Sequence, residues 1–322
     1  MPFSEVLGQE TAVRTLTRAL ETGHVHHAYR FEGPEGVGKE RAAFAFAQSL
    51  VCERGSLACG ECSACRRAVT LSEEDPRVPL HPDVVLVQRG LYKGLLAGSS
   101  ETMGVGIEQI RKVVLGRAGY PPHEGRALVF IVRDADELTQ QAANALLKTL
   151  EEPSPNTYFV LLTSRPNRLL DTIRSRTLPV RFAALPNAVV ASILKARGLD
   201  EKVANLAQGS AGLALLLADP ERQQEREAFV KGALSALADK DLMGALSFAD
   251  SHRGDRRELG ELLGYFAQEL STLAKRAVES EPDRALHLAE QHALVLSAMQ
   301  ELERNVAPAL TLEAMMVRLR RA

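Results

Sequence analysis

One stretch limits what this chain can fold into more than any other: Gly33-Pro34-Glu35-Gly36-Val37-Gly38-Lys39-Glu40. Gly33, Gly36, Gly38 and Lys39 stand at the spacing of a phosphate-cradling loop. In such a loop glycines let consecutive backbone N–H groups face phosphate oxygens, and the lysine reaches the β and γ phosphates. That geometry needs a strand running in and a helix N-terminus running out. Both are predicted here, because Ala28-Tyr29-Arg30-Phe31 reads as a short strand and Lys39 to Leu50 as a helix rich in Ala and Phe. The last position breaks the pattern. A Ser or Thr hydroxyl there normally holds Mg²⁺, whereas Glu40 puts a carboxylate close to where anionic phosphates would lie. The cradle needs no metal to bind an anion, so ATP or ADP binding without turnover stays open.

Three further apolar runs read as buried parallel strands: Val84-Val85-Leu86-Val87, Leu128-Val129-Phe130-Ile131-Val132 and Phe159-Val160-Leu161-Leu162-Thr163, with a last strand near Leu178 to Phe182. Helices are predicted over Gln9 to Thr22, stopping at Gly23, over Ile107 to Leu115, over Leu138 to Glu151, closing at Pro153, and over Leu169 to Ser175. The Gly- and Ser-rich stretch Gly90 to Gly106 has no period and reads as a flexible loop. Strands alternating with helices argue for an α/β fold, a parallel sheet wrapped on both faces, with its ligand site at the strand C-terminal ends.

After Pro186 the strand signals vanish. Asn187 to Arg197, Glu201 to Ala207 and Ala211 to Ala218 read as three short helices, and beyond Pro220 the helices lengthen. The clearest runs from Asp255 to Val278, with Leu259, Leu262, Leu263, Phe266, Leu270 and Leu273 on one stripe. This tail, ending through Leu310, Leu312, Met315, Met316 and Leu319, holds no catalytic cluster and reads as a bundle that packs on itself or on sister subunits.

A working ATPase of this layout also needs an acidic pair just past a buried strand, an Asp for Mg²⁺ and a Glu to polarise water. Here Val132 is followed by Arg133-Asp134, so a cation stands at the metal's position and Asp134 only partly substitutes for Glu. A shifted register using Asp136 would draw Arg133 and Asp134 into the strand, which is costly unless both are paired. Two metal ligands are missing at once.

Cys52, Cys59, Cys62 and Cys65 are the only cysteines, spaced C-x6-C-x2-C-x2-C. In a reducing compartment four local thiolates read as a tetrahedral structural Zn²⁺ site with no open position for a catalytic water. An iron–sulfur cluster and a redox Cys-x-x-Cys pair are the alternatives. A net charge of −2 offers no broad attraction to nucleic acid, so any DNA contact needs a local patch. With apolar runs too short to span a bilayer and no signal-peptide pattern at the N-terminus, a cytoplasmic protein without membrane contact is expected.

Three more stretches carry a resemblance. Ala143-Asn144-Ala145-Leu146-Leu147-Lys148-Thr149-Leu150-Glu151-Glu152-Pro153, Arg168-Leu169-Leu170 and Ser175-Arg176-Thr177 resemble the signature of bacterial DNA polymerase III clamp-loader subunits. So do the cysteine insertion after the loop helix and His27-Ala28-Tyr29 before it. The resemblance implies an AAA+ P-loop domain with a zinc module (1–183), a small helical lid domain (184–220) and an all-α collar for oligomerisation (221–322). It also implies that Arg176 is the arginine of the family's Ser-Arg-Cys motif, pointing across a subunit boundary at ATP held by a neighbouring motor subunit. Thr177 departs from the family's Cys beside it. A helix cap or a pair with a nearby acid is the alternative for Arg176. Thr163 sits where the family places its γ-phosphate sensor, or is a core polar residue; Gly212 stands where motor subunits carry a phosphate-sensing Arg; His27 reads as a packed loop histidine.

Glu40, Arg133 and Gly212 are similar to the family's decayed, delta prime type rather than to its gamma/tau motor type. The implied role is a non-hydrolysing stator that, with motor (gamma/tau) and delta subunits, loads the sliding clamp on primed DNA. A self-sufficient ATPase of the same family and a zinc-dependent nucleic-acid-binding module are the competing readings.

Overall fold

The five predicted apolar runs join in one sheet. In a computed structural model of the chain, β1 (Ala28–Glu32), β2 (Val84–Val87), β3 (Leu128–Val132), β4 (Thr157–Thr163) and β5 (Leu178–Arg181) run parallel in the order β2-β3-β4-β1-β5. The structure describes every residue except 1, 93, 95–103, 125, 239–241, 253–255, 305 and 322, and only the backbone of 242, 257, 303 and 321. Most of the stretch 90–106 read as a flexible loop lies outside the described residues.

Alternation explains why these strands read as unbroken apolar runs. Leu128, Phe130 and Val132 bury on one face with Ala28, Phe159 and Leu161. Val129 and Ile131 bury on the other with Phe31, Val160 and Leu162. Side chains alternate with period two, so a strand covered on both sides has few positions for a polar residue. The Phe31 face is covered by α1 (Glu10–Thr22), α2 (Lys39–Val51) and α3 (Ser63–Val69), through Leu16, Phe46 and Ala64 among others. The Phe130 face is covered by α4 (Ile107–Gln109), a π-helical stretch Ile110–Leu115, α5 (Gly116–Ala118), α6 (Gln140–Glu151) and α7 (Asp171–Arg174).

The helix predicted over Leu169 to Ser175 shrinks to the single turn of α7. Leu169 and Leu170 are extended instead, with ψ 142° and 138°, and Leu169 packs into the same cluster as Ile173. The segment predicted as helix over Glu201 to Ala207 is a 3-10 turn, Glu201–Asn205, started by Asp200, whose carboxylate accepts the Lys202 N–H at 3.0 Å. Together with α8 (Asn187–Lys195) and α9 (Ala211–Ala218) it buries Val190, Leu194, Ala204 and Ala214 in the core that covers the Phe31 face.

The chain divides into two compact units, Met1–Ala218 and Asp219–Ala322. The second contains α10 (Pro220–Ala238), α11 (Leu242–Ser251), α12 (Arg256–Ala277), α13 (Pro282–Glu303) and α14 (Pro308–Arg321). Leu259, Leu263, Phe266 and Leu270 of the predicted stripe are buried together with Phe229, Val295, Leu312, Met315 and Met316. Leu310 instead faces solvent, because two residues from Leu312 it lies about 200° round the helix. Among the described residues no helix is long and apolar enough to cross a membrane.

A buried polar knot ties the cysteine-bearing arm to the sheet. Asp83, just before β2, accepts from Arg117 Nη2 at 2.7 Å and from the N–H groups of His123 and Glu124 at 2.7 and 2.8 Å. Glu124 accepts a two-pronged pair from Arg67, both bonds 2.7 Å. His81 sets Nε2 3.2 Å from the same carboxylate, and its Nδ1 accepts the Asp83 N–H at 3.1 Å. Burial holds the His81 pKa below its ordinary 6.5, with Arg67 acting the same way against the pull of Glu124 and Asp83. Burial also lowers that of His27. The unfolded chain therefore binds protons that the folded chain refuses, and stability is expected to fall as pH drops through about 6.5. Denaturant unfolding of His81→Gln at neutral and mildly acidic pH should show a shallower fall than the parent chain.

Candidate functional site

The glycine loop predicted to cradle phosphate leaves β1 and enters α2 through Gly38, which is left-handed at φ 99°. Gly36 has no freedom to be anything else: at φ 71°, a Cβ there would stand 2.2 Å from Ser210 Oγ and 2.8 Å from Gly212 N. The contact is a bond as well as a close approach, since the Gly212 N–H donates to Gly36 O at 3.0 Å. Buried Gln9, at the start of α1, donates to Val37 O at 3.1 Å and to Ala183 O at 2.7 Å. Lys39 folds back on the loop itself, donating to Gly33 O at 2.6 Å and Pro34 O at 2.5 Å. Burial lowers its pKa, against the opposing pull of Glu35, Asp134 and Asp136.

The two residues that break the metal pattern meet. Arg133, just past β3, pairs through Nη2 with Oε1 of Glu40 in the first turn of α2, and its Nη1 donates to Gln88 Oε1 at 2.5 Å. Both partners keep contact with water, so the pair adds only about 0–1 kcal/mol to stability. Its importance is chemical. Mg²⁺ asks for oxygen ligands in near-octahedral array, whereas this corner offers a guanidinium already paired with the Glu40 carboxylate. The residues present do not fit a Mg²⁺–nucleotide.

The neighbouring acids do not repair the site. The shifted register using Asp136 does not occur: β3 stops at Val132 and the Arg133 N–H bonds Val87 O at 2.9 Å. Asp134 adopts a left-handed conformation, φ 47°, and burial, with Asp136 and Glu35 adding to it, raises its pKa. Thr163, at the end of β4, donates to Asp136 Oδ1 at 2.6 Å and accepts the Arg165 N–H at 3.0 Å. His27 gives Nε2 to Leu150 O at 2.8 Å and stacks on His26.

Arg176 belongs to another part of the surface. Its Nε donates to Glu151 Oε1 at 2.5 Å and its Nη2 pairs with the same oxygen. Its Nη1 donates to Thr172 O at 2.9 Å and Ser175 Oγ at 3.2 Å, so within the chain it is both a cap on α7 and half of an ion pair. Three residues of this constellation escaped the reading of the sequence: Gln9, Gln88 and Arg30, whose Nη1 bonds Arg174 O and Thr177 Oγ1 on either side of Arg176. Arg30 had a visible signal, a charge in the middle of an apolar strand. The two glutamines had none.

The four cysteines are reduced, and their sulfurs all lie within 4.8 Å of one another, with Cys59 and Cys65 3.9 Å apart. Four thiolates about 2.3 Å from one Zn²⁺ in a tetrahedron stand about 3.8 Å apart, so the cluster is compatible with a structural zinc ion. Backbone N–H groups prepare the ligands: Cys62 N donates to Cys59 Sγ and Cys65 N to Cys62 Sγ, both at 3.4 Å. Such bonds bring the Cys59 pKa down to about 6, while burial pushes that of Cys65 up. Gln48 on α2 supports the site by donating to Cys65 O at 2.8 Å, and Arg126 bonds Cys52 O.

Residues 8–186 match the family model described as DNA polymerase III, delta subunit. The chain belongs to this clamp-loader family. This clamp-loader chain is 32% identical to DNA polymerase III subunit gamma/tau of Mycobacterium tuberculosis over 368 aligned positions, covering 98% of its own length and 60% of that relative's. It is 34% identical to subunit delta' of Bacillus subtilis over 183 positions, 56% of this chain and 50% of that one. It therefore spans 60% of the length of the gamma/tau relative. A solved gamma subunit-related protein of Thermotoga maritima shares the fold, with TM-score 0.50 and 19% identity over 96% of this chain and 98% of that one.

Proposed function

We propose that this chain is a non-hydrolysing, delta prime-type subunit of a DNA polymerase III clamp loader. One observation supports the reading: Glu40 and Arg133, at the two positions where the motif calls for metal ligands, pair with each other instead. Without the metal no water is polarised and no charge on a γ phosphate is offset, so the chain's own loop serves as scaffold. The first unit then supplies Arg176 to ATP held by a neighbouring gamma/tau-type motor, with 184–220 as lid and 221–322 as collar, and together with delta the assembly places a sliding clamp on primed DNA.

The chemistry asked of Arg176 suits its surroundings. A guanidinium fork bonds carboxylate and phosphate oxygens in the same two-pronged way, so Glu151 holds the side chain in a form that a triphosphate takes over. In place, a cation aimed at the transferred phosphoryl group offsets charge that grows in the transition state.

A second reading, an active gamma/tau-type ATPase, is favoured by the 32% identity to gamma/tau over nearly the whole chain. The purified chain with ATP and Mg²⁺ discriminates. Turnover is expected to stay at background and to be indifferent to Lys39→Ala, whereas turnover that Lys39→Ala abolishes would establish the second reading. Mixed with gamma/tau and delta subunits, the chain should elute in one stoichiometric complex.

A further inference from the structure

We propose that Arg30 and Thr177 form a buried anchor that fixes where Arg176 stands, which makes both of them positioning residues for the arginine given in trans. The proposal rests on the role assigned to Arg176 above.

Arg30 sits in β1 between Tyr29 and Phe31, both fully buried, and is itself only 6% exposed. A guanidinium in such a place persists only when every face of it is paired. Its Nε donates to Glu32 Oε1 at 2.5 Å, and its Nη1 donates to Arg174 O at 2.9 Å and to Thr177 Oγ1 at 2.7 Å. Those last two acceptors bracket Arg176 on its two sides in the chain. Thr177 closes the turn by donating from the same hydroxyl to Ile173 O at 2.9 Å.

Two holds on Arg176 thus differ in kind. Glu151 grips the guanidinium from the side and must release it when a phosphate takes its place. Arg30 holds a backbone carbonyl on one side, at Arg174, and a side-chain hydroxyl on the other, at Thr177, and has no reason to move when Arg176 changes partner. The first sets a resting state, and the second sets the origin from which the side chain reaches. Placement matters because a shift of about 1 Å at a catalytic group lowers rate by about 10²-fold. The anchor also joins the turn to the strand that feeds the phosphate loop, since Gly33 follows Glu32 directly.

Thr177→Val tests this with the side-chain shape kept and the hydroxyl removed. In the complex reconstituted with gamma/tau and delta subunits, single-turnover hydrolysis at the adjoining motor site should slow about fivefold or more with ATP affinity unchanged, and Thr177→Ser should restore it. The double variant Thr177→Val with Arg176→Ala should be no slower than Arg176→Ala alone, because the anchor acts only through that side chain. Hydrogen exchange on the full free chain reads the anchor directly: amides over 172–177 should exchange about tenfold faster in Thr177→Val. Unchanged exchange, or an ATPase rate unaffected by Thr177→Val but lowered by Arg176→Ala, would overturn the anchor and leave the proposed function standing. Faster exchange with Arg176→Ala at the parent rate would instead sink the role in trans and this inference with it.

Discussion

Arg176→Ala is expected to slow hydrolysis at the neighbouring motor site by about 10³-fold, with the assembly intact. The side chain gives up one charge in a site closed to water, where a cation bonded to the transferred phosphoryl group acts with little screening. What it gives up at home is small. The Glu151 pair lies at the surface, where such pairs are worth about 0–1 kcal/mol, so the melting temperature of the free chain should barely move. Arg176→Lys should recover only part of the rate, because an ammonium cannot reproduce the planar fork. In a complex with several motor sites the total rate falls only to what the unaffected sites supply, so single-turnover measurement on the adjoining site is the clean readout. An unchanged single-turnover rate removes the role in trans.

The second large effect concerns the cysteine arm. Freshly purified reduced chain is expected to carry one Zn²⁺, and chelation should unfold the segment from Cys52 to Cys65 and open it to proteolysis. Structural zinc in small modules contributes about 10–16 kcal/mol of apparent binding free energy at neutral pH, far above what local packing supplies there. Damage should spread inward, because Cys52, Cys62 and Cys65 share a core with Phe46 of the loop helix and Gln48 holds Cys65 O. The pH dependence has a definite sign: the ligands must be thiolates, so retention weakens as pH falls and they take up protons. Metal analysis across an acid titration follows this, and a chain without zinc when freshly prepared would retire the assignment.

The sheet was legible because burial on both faces strips a strand of polar residues, as in Leu128 to Val132. The turn from β1 into α2 was legible because its glycines answer to local backbone geometry, with positive φ at Gly36 and Gly38. Glu40 and Arg133 were each visible as departures, but their bond spans 93 positions, and nothing in a linear pattern measures that distance. Arg30 passed as an ordinary strand residue because the groups that neutralise it, Glu32 apart, come from residues 174 and 177. The helix predicted from Leu169 failed for a related reason: tertiary packing of Leu169 into the core with Phe130 and Phe159 outweighs the local preference for a further turn. Arg176 was legible only through family resemblance, and its partner Glu151 lies 25 residues away on α6.

The bond between Arg133 and Glu40 also bears on the lineage of such a chain. Changing Glu40 alone to a hydroxyl residue strands a guanidinium beside the phosphate cradle, and changing Arg133 alone to aspartate sets two like charges against each other. A third obstacle is the clasp at Gly212, where even a methyl group would press on Gly36 at 3.0 Å. Each reversion is disfavoured until the others have happened, so, in the non-hydrolysing role proposed above, the loss of a working engine would behave as a ratchet, and descendants would inherit the scaffold with the road back closed behind them.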